Sequence, residues 1–480
     1  MRVTFVIPPV LQGKRPAERT AGCTHVVYLA PNIYELTVAA VVEQDPRNQV
    51  RYVDCVYDKY SHRRFERFLD GDDSEVYCVW MVNLSLVNDL EAISIMLARR
   101  PDCKVLLLGP APTHFAQMCL IDQRIIVVRG EPEATVRELL QCLNDGTPWQ
   151  QLQGVSCLND AGEVVENPPR PLIKQLDELP FPARHFIKDR RYYNPKLPAE
   201  GYTTAFTSRN CPYQCIYCVP SSLTFAREME HRRYFGSKPP VAKRSVESVD
   251  AEMASLAESG YKVVGFMDDN FIWDEQRTLQ LCQVMRKHNL LWGCQARVDA
   301  ITETIAEALA HSGCRYVDLG VESFDDSILE YVKKGITSEQ IHTAIDILKR
   351  HGVPVKLNIL IGSCPLETPE TVHHTLREAK RLQVDQVMFN IVSPFPGTKY
   401  YELCKSNGWL KGGYYTPTDV QRHSIVDLPH LSARQMERAL FRNNVSYFLS
   451  WQFVRKQWHR FSSWRQFSHA LRALRIKLFG

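Results

Sequence analysis

The chain has no long uninterrupted apolar run and no large charge of either sign. None of its apolar runs reaches the roughly 18 residues that a membrane-spanning helix needs. A formal net charge of +4 over 480 residues does not by itself indicate nucleic-acid binding. The opening residues Met1-Arg2 and Val3–Ile7 lack the apolar length and the small-residue cleavage site of an export signal. We therefore expect a cytoplasmic protein that acts on a small molecule and binds no nucleic acid.

Cysteine, by contrast, is abundant, with 15 residues in the chain. Because a protein that is not exported stays among reducing thiol buffers, disulfides are not expected. Scattered residues such as Cys55, Cys103 and Cys142 then serve as small buried apolar side chains.

Short apolar runs alternate with helical patterns over most of the chain, which predicts an α/β protein with parallel sheets. Residues 1–147 contain five predicted strands and intervening helices, a pattern typical of a doubly wound, Rossmann-like domain. These strands are predicted at Val3–Ile7, Val50–Val53, Val76–Val79, Lys104–Leu108 and Ile125–Val128. Residues 148–200 are rich in proline and are predicted to form a linker.

Residues 201–410 contain six predicted strand–helix units, which favour a partial (β/α)6 barrel of the TIM type. Its strands are predicted at Thr203–Ser208, Val263–Met267, Trp292–Ala296, Tyr316–Gly320, Val355–Ile361 and Gln386–Ile391. Active sites on such folds gather at the carboxyl ends of the strands.

Residues 411–480 form a tail that is helical in pattern from Ser432 and has no acidic residue after Glu437. It mixes basic residues with Trp451, Phe453, Trp458, Phe461, Trp464 and Phe467. Such a helix can lie on an anionic membrane surface, which would suit a lipid-like substrate and peripheral membrane contact. It can equally pack on the barrel with its aromatic side chains inward.

The most informative motif is Cys211-Pro-Tyr-Gln-Cys215-Ile-Tyr-Cys218, directly after the first predicted barrel strand. One loop can point three thiolates at a common centre, and a cluster with three protein ligands keeps one iron open for a substrate. A zinc site would need a fourth ligand, which Cys294 or Cys314 could supply after folding. A redox dithiol would need only two of the three cysteines.

This Cys-x-x-x-Cys-x-x-Cys motif, with the aromatic Tyr217 before its last cysteine, resembles the signature of the radical S-adenosylmethionine (SAM) superfamily. The resemblance covers the whole second block. It implies a [4Fe–4S] cluster on Cys211, Cys215 and Cys218, whose open iron is chelated by the methionine part of SAM. Reductive cleavage of SAM would then release a 5′-deoxyadenosyl radical.

The same resemblance extends to positions that would bind SAM. Asp268 and Asp269, after the second barrel strand, are similar to the motif that receives the methionine ammonium; a helix cap is the alternative for Asp269 and Asn270. Arg244 is similar to an arginine that holds the SAM carboxylate, with a surface cation as the alternative.

Two further strand ends in the barrel resemble family motifs near SAM. Glu322 and Ser323 follow the fourth strand, and a structural carboxylate paired with Arg297 is the alternative for Glu322. Gly362 ends the fifth strand and resembles the glycine edge against which adenine packs. The next residues, Ser363 to Thr368, depart from the usual Gly-x-Pro-Gly-Glu-Thr, which leaves the loop shape open.

A doubly wound domain before such a barrel resembles the cobalamin-binding class of the superfamily. Gly109 after the fourth strand and Gly130-Glu131 after the fifth resemble its loops, where a glycine turn lets the backbone approach a corrinoid. No Asp-x-His-x-x-Gly motif occurs, so no axial histidine is assigned.

These resemblances imply a radical SAM enzyme that methylates an unactivated carbon with the help of cobalamin. Oxidative cyclisation or rearrangement without methyl transfer remains open. The alternative that is not an enzyme is a protein that carries an iron–sulfur cluster or cobalamin without catalysing a reaction. An electron donor such as flavodoxin or ferredoxin is implied as a partner.

Overall fold

The computed structural model describes residues 1–11, 15–194, 196–197 and 199–450. By their internal contacts these residues divide into two units. The first unit holds residues up to 192, together with 208–210 and 220–245. The second unit holds residues 193–207, 211–219 and those from 246 onward. The chain thus passes from one unit to the other just before and just after the cysteine loop. The domain boundaries predicted from the sequence do not include these two crossings.

The first unit up to residue 192 contains seven strands and six α-helices among its described residues. In chain order they are β1 (Arg2–Ile7), α1 (Ile33–Glu43), β2 (Gln49–Asp54), α2 (His62–Gly71), β3 (Val76–Trp80), α3 (Leu86–Arg99), β4 (Lys104–Leu108), α4 (Pro110–His114), α5 (Ala116–Cys119), β5 (Ile125–Val128), α6 (Pro132–Asp145), β6 (Val155–Leu158) and β7 (Val164–Glu166).

The seven strands form one sheet in the order β2-β1-β3-β4-β5-β6-β7. The pairs from β2 to β5 are parallel, so the five predicted strands form the doubly wound sheet that was expected. The order 2-1-3-4-5 is that of flavodoxin-like folds, which bind ligands at the carboxyl ends of their strands. Strands β6 and β7 are antiparallel and extend the sheet from within the predicted linker.

The chain then alternates between the units. Strand β8 (Tyr202–Ala205) belongs to the second unit, whereas β9 (Ser208–Arg209), α7 (Ser222–Phe235) and β10 (Ala242–Lys243) belong to the first. Strands β9 and β10 pair with each other as an antiparallel ribbon. Helix α7 ends at Gly236, whose positive φ of 69° suits the left-handed cap that glycine favours.

The rest of the second unit continues the alternation of strands and helices. In chain order its elements are α8 (Val246–Glu258), β11 (Val263–Phe266), α9 (Glu275–Lys287), β12 (Leu291–Arg297), α10 (Glu303–His311), β13 (Cys314–Glu322), α11 (Asp326–Tyr331), α12 (Ser338–Arg350), β14 (Val355–Ile361), α13 (Pro369–Arg381), β15 (Gln386–Ile391), α14 (Lys399–Ser406) and α15 (Ala433–Phe448).

Six strands of this unit form an open sheet in the order β15-β14-β13-β12-β11-β8. All neighbouring strands are parallel, which confirms the six predicted strand–helix units. Among the described residues the sheet does not close into a barrel. One face carries the apolar core, for example Leu357 and Ile359 of β14 at 0 % and 1 % exposure. The alternate side chains form the opposite face, which we call the polar face.

Helix α15 confirms the helical pattern predicted from Ser432. The aromatic and basic residues of the tail from Trp451 to Gly480 lie outside the described residues, so the membrane-surface prediction stays a prediction. Within the described part of the chain, no helix combines the length and the apolar character required to span a bilayer.

Candidate functional site

The loop with the three cysteines is fixed at its middle by backbone hydrogen bonds. Ile216 donates its N–H to the carbonyl of Val332 at 3.1 Å, and its own carbonyl accepts from the N–H of Tyr400 at 3.0 Å. The Ile216 side chain is 4 % exposed and lies in the core of the second unit. Because both ends of this peptide are held, Cys215 and Tyr217 flank a fixed point of the loop.

All three cysteines of the loop are half-buried and free of disulfides. The N–H of Cys218 donates to the carbonyl of Cys215 at 3.3 Å, which closes a turn between these two ligands. Within the described residues, no three His, Cys, Asp or Glu side chains already form a metal site. Cys294 and Cys314 lie in the apolar core at 1 % and 2 % exposure, which contradicts a zinc site built with their help.

Two cations interact electrostatically with Cys215, namely Arg297 and Lys334. The Arg297 guanidinium lies 3.5 Å from the ring centre of Tyr213 and donates its Nη2 to the carbonyl of Lys334 at 2.7 Å. A cysteinate-bound iron–sulfur cluster carries negative charge, and nearby cations stabilise thiolates. The donor set and its surroundings therefore fit an iron–sulfur cluster.

The structure brings two predicted SAM-site residues, Tyr217 and Glu322, into contact. Burial raises the pKa of Tyr217 well above its usual value, and the hydrogen bond with Glu322 raises it further. Lys334 Nζ binds the Glu322 carboxylate at 2.8 Å. Arg297 instead pairs with Asp299 at 2.8 Å, so the predicted alternative of a Glu322–Arg297 pair was wrong about the partner.

Glu322 adopts an uncommon backbone conformation, with φ at +69°. The residue lies where the register between β13 and β14 shifts, at an irregularity between Gly320 and Glu322. A non-glycine residue with positive φ is often held by its surroundings at a functional site. Here the ion pair with Lys334 and the contact with Tyr217 provide that support.

Asp268 and Asp269 lie at the carboxyl end of β11, as predicted. The Asp268 carboxylate is 1 % exposed and accepts from the N–H of Thr207 at 2.9 Å and from its hydroxyl at 2.7 Å. It therefore fixes the residue that follows β8. Helix α9 begins at Glu275 with Asp274 as its cap, so the alternative that Asp269 and Asn270 cap this helix was wrong.

Gly362 has φ at +81°, and its surroundings leave no room for a side chain. An added Cβ would lie 2.5 Å from Sδ of Met436 in helix α15. The buried Glu367 accepts from the Gly362 N–H at 2.7 Å, while the Gly362 carbonyl accepts from the Tyr400 hydroxyl at 2.5 Å. These contacts define the loop shape that the unusual sequence left open, and the adenine contact stays a prediction.

Two further predicted SAM residues are engaged within the protein. The Ser323 hydroxyl lies 3.2 Å from that of Thr375 and accepts from the N–H of Asp325 at 3.1 Å. Arg244 is only 5 % exposed, so the alternative of a surface cation was wrong. Its guanidinium lies 5.4 Å from the ring centre of Phe181 within the first unit. The SAM contacts of both residues stay predictions.

The two glycine loops predicted to approach cobalamin are joined by Thr113 in the first unit. The Thr113 hydroxyl donates to the carbonyl of Gly109 at 2.8 Å and accepts from the N–H of Gly130 at 3.2 Å. Gly109 has φ at +97°, and an added Cβ would lie 2.6 Å from the carbonyl oxygen of Met81. Only glycine fits at this point of the sheet edge.

Glu131 belongs to a buried network of three arginines and three glutamates in the first unit, which we call the first-unit network. Its members are Arg129, Arg209, Arg227, Glu131, Glu133 and Glu230. Glu131 contacts Arg209 at 2.9 Å and Arg227 at 3.0 Å, and it also accepts from the N–H of Ile173. All its contacts here are with the chain itself, so its predicted role toward cobalamin stays untested.

Asn83 is a candidate that the sequence reasoning missed. It follows β3 and is 2 % exposed, and neither polar atom of its amide has a partner among the described residues. Buried amides are usually hydrogen-bonded, so an exception requires an explanation. Strand β3 pairs with β4, which ends just before Gly109. A buried amide after the carboxyl end of a parallel strand was the signal available in the sequence.

Residues 206–379 match the family model of the radical SAM superfamily. This segment contains the cysteine loop, Asp268, Glu322 and Gly362. The chain thus contains a radical SAM domain, and it is an enzyme.

Two proteins with similar amino-acid sequences show what the chain resembles. An uncharacterized methyltransferase of Pyrococcus horikoshii is 28% identical over 460 residues, which covers 94% of this chain and 93% of that protein. The anaerobic magnesium-protoporphyrin IX monomethyl ester cyclase of Rubrivivax gelatinosus is 24% identical over 347 residues, covering 70% of this chain and 59% of the cyclase.

Two solved structures share the fold. The cobalamin-dependent SAM radical enzyme OxsB, solved with aqua-cobalamin and SAM, has a TM-score of 0.73 at 14% identity, covering all of this chain and 72% of OxsB. The radical SAM methyltransferase TsrM from Kitasatospora setae, solved with cobalamin and a [4Fe–4S] cluster, has a TM-score of 0.65 at 18% identity, covering 85% of this chain and 75% of TsrM. Between them, these two structures contain cobalamin, SAM and a [4Fe–4S] cluster, the three cofactors that the sequence led us to expect here.

Proposed function

We propose that the chain reductively cleaves SAM at a [4Fe–4S] cluster held by Cys211, Cys215 and Cys218, and methylates an unactivated carbon with the help of cobalamin. One observation carries the proposal. A single chain combines a cysteine loop after the first strand of a six-stranded parallel sheet with a separate sheet of order 2-1-3-4-5. When bound, the cluster supplies the electron that cleaves SAM, and cobalamin supplies a transferable methyl group.

The chain's own residues hold and orient these groups. The two hydrogen bonds of Ile216 keep the cysteine loop in place, while Arg297 and Lys334 balance the charge that builds up beside Cys215. Glu322, in contact with Tyr217 of the loop, and Asp268, after the end of β11, supply carboxylates for the SAM ammonium and ribose, because a carboxylate beside an ammonium forms a charge-assisted hydrogen bond.

For cobalamin, two features of the first unit support binding. The amide of Asn83 has polar atoms to offer a ligand, and Gly109, where only glycine fits, follows the neighbouring strand. Both follow strands of a doubly wound sheet at the carboxyl edge, where such folds bind their ligands. The proposal assigns no axial ligand.

The test is an anaerobic assay after reconstitution with iron and sulfide. With dithionite and SAM, we expect 5′-deoxyadenosine, and with hydroxocobalamin added we also expect S-adenosylhomocysteine. Cys215→Ser should lose both products, whereas Cys142→Ser, a half-buried cysteine on α6, should keep them. A fully loaded cluster that yields neither product would overturn the proposal.

Cobalamin binding has a readout that does not depend on turnover. We expect the visible spectrum of hydroxocobalamin to change on adding the protein, and the pigment to co-elute with it in gel filtration. Asn83→Ala should weaken this binding, while Asn88→Ala on helix α3 should not. Equal binding by wild type and Asn83→Ala would remove Asn83 from the site.

A second candidate is a radical cyclase, which the similarity to the Rubrivivax gelatinosus cyclase favours. Its expected sign is 5′-deoxyadenosine without cobalamin-dependent S-adenosylhomocysteine, once the true substrate is present. Either reaction needs a one-electron donor such as flavodoxin or ferredoxin, which we propose as the physiological partner.

A further inference from the structure

The polar face of the second sheet is accessible along its central strands. Gln295 of β12 is exposed although its neighbours Cys294 and Ala296 are 1 % and 5 % exposed. On β14, Asn358 and Leu360 are half-buried between fully buried residues. Central strands of a sheet expose side chains in this way only where the face borders open space rather than packed core. A ligand can therefore reach this face.

On this face lies a buried group of three charges, which we call the lysine pair site: Lys196, Asp318 and Lys356. Both ammonium groups contact the same oxygen of Asp318, Lys196 at 2.7 Å and Lys356 at 2.9 Å. The side chains of Lys356 and Asp318 are 10 % and 8 % exposed. Asp318 and Lys356 are also direct neighbours across the β13–β14 pair.

The charges of this site do not balance. Two ammonium groups face one carboxylate, so one positive charge is left in a place largely shielded from water. An unneutralised buried charge is costly, and buried charges are usually paired. Lys196 has a second partner in the ring of Tyr316, whose centre lies 4.0 Å from Nζ.

Lys356 has no such second partner among the described residues. Its ammonium carries three N–H donors, and Asp318 is its one hydrogen-bond acceptor within the described part of the chain. The other oxygen of Asp318 is itself buried without a partner in that part. The site thus has unused donors and an excess positive charge beside an accessible face.

We infer that the lysine pair site binds an anionic group of the substrate, a carboxylate or a phosphate, through Lys356 and Lys196. The inference rests on the proposed function in one respect: it takes the polar face of the radical SAM unit as the place where substrate lies. Asp318 and Gly320 lie two residues apart on this face of β13, and the Glu322 carboxylate lies beside Gly320, where an added Cβ would be 2.8 Å from its Oε1. At about 3.3 Å per residue, Asp318 and this carboxylate are about 7 Å apart along the strand.

That spacing gives the substrate a defined shape. A molecule whose anionic group contacts Lys356 would present to the SAM-site carboxylate a carbon about 7 Å away. The substrate class is therefore a small molecule with a carboxylate or phosphate at one end and an apolar or weakly polar body. Leu360 and Met388, both half-buried, border that body on β14 and β15.

The test uses isothermal titration calorimetry of the full-length protein with two probes, inorganic phosphate and acetate. We expect one or both to bind, and Lys356→Met and Lys196→Met to raise the dissociation constant roughly tenfold or more, the usual loss of a charge-assisted hydrogen bond. Lys356→Arg keeps the charge and should stay within a few-fold of wild type. Lys287→Met, an exposed lysine paired with Asp250, is the matched control and should have no effect.

The outcomes separate the sources of the anion. Binding of phosphate alone indicates a phosphorylated substrate, and binding of acetate alone indicates a carboxylate. If neither probe binds, or if both lysine variants bind as wild type does while circular dichroism shows them folded, the inference is overturned.

The same variants distinguish this inference from the proposed function. Lys356 lies away from the cysteine loop, so Lys356→Met should still form 5′-deoxyadenosine from SAM without substrate. Anion binding in a wild-type protein that cannot cleave SAM would contradict the proposed function alone. SAM cleavage without anion binding would contradict the inference alone.

Discussion

The two units bury ion networks that differ in charge balance. The first-unit network contains three arginines and three glutamates, so its charges cancel within the protein. The lysine pair site of the second unit contains two lysines and one aspartate. A neutral network is complete without a ligand, whereas an unbalanced one is completed by a counter-ion. Charge balance thus distinguishes a structural network from a candidate binding site.

The largest effect is expected when the neutral network loses one charge. Arg209→Met would leave the fully buried Glu133 without its ion-pair partner and Glu131 with only Arg227. Removing one partner of a buried pair destabilises a protein by about 3–5 kcal/mol. We expect a loss of this size in the free energy of unfolding, measured by urea denaturation followed by circular dichroism.

The control for this prediction is Arg233→Met in helix α7 of the same unit. Arg233 pairs with Glu166 at the surface, where its side chain is 50 % exposed. Exposed ion pairs contribute about 0–1 kcal/mol, so this variant should unfold close to wild type. Equal effects of the two substitutions would show that the first-unit network is not a structural element.

A somewhat smaller loss is expected when the unbalanced site loses its one carboxylate. Asp318→Asn would leave Lys196 and Lys356 facing each other without a counter-charge. We expect a loss of about 3 kcal/mol, at the low end for a broken buried pair because Lys356 can release its proton. Urea denaturation near neutral pH measures it. Added phosphate should restore part of the lost stability, which would not occur for a purely structural carboxylate.

The pH dependence of stability gives a third difference between the units. Burial, together with the nearby ammonium of Lys196, lowers the pKa of Lys356 to about 8, although Asp318 acts in the opposite direction. Between this pH and the ordinary value of 10.5, the unfolded chain holds a proton that the folded protein has lost. The free energy of unfolding should therefore rise through this window, by at most about 3 kcal/mol.

To measure this rise, the free energy of unfolding of wild type is compared with that of Lys356→Met at each pH. The variant lacks the titrating group, so its unfolding free energy should not show this gain as the pH rises from about 8. Among the described residues, Asp318 and Lys196 are the charged groups that act on Lys356, and both remain in the variant. Parallel curves for the two proteins across this window would mean that Lys356 is not a buried cation.

Much of the fold could be predicted from local patterns. The bounds of β14 and β15 were predicted residue for residue, because each is a short stretch of largely alternating apolar residues between turn or helix signals. The hairpin β6–β7 was missed because its short strands lie among prolines in a segment that reads as a linker. That α7 belongs to the first unit could not be predicted from the sequence, since this depends on contacts such as that of Arg129 with Glu230, 101 positions apart.

The candidate site divides in the same way. The three cysteines follow from spacing within one loop, and Asp268 and Glu322 from their position at strand ends. The pairing of Glu322 with Lys334 rather than Arg297 depends on the shifted register at the end of β13, which no sequence pattern encodes. The lysine pair site was missed because Lys196, Asp318 and Lys356 come from three distant segments that only folding brings together.

The smallest change in stability should come from removing Lys196. Lys196→Met would leave Asp318 and Lys356 as a balanced pair, since Lys196 is the extra cation and the most exposed of the three at 17 %. We expect the free energy of unfolding to stay within about 1 kcal/mol of wild type, measured by the same urea denaturation. The affinity for the anionic probe should nevertheless fall. A residue whose loss leaves the fold intact but removes anion binding would be held there for the ligand. A loss of several kcal/mol would instead place the lysine pair site with the structural network of the first unit.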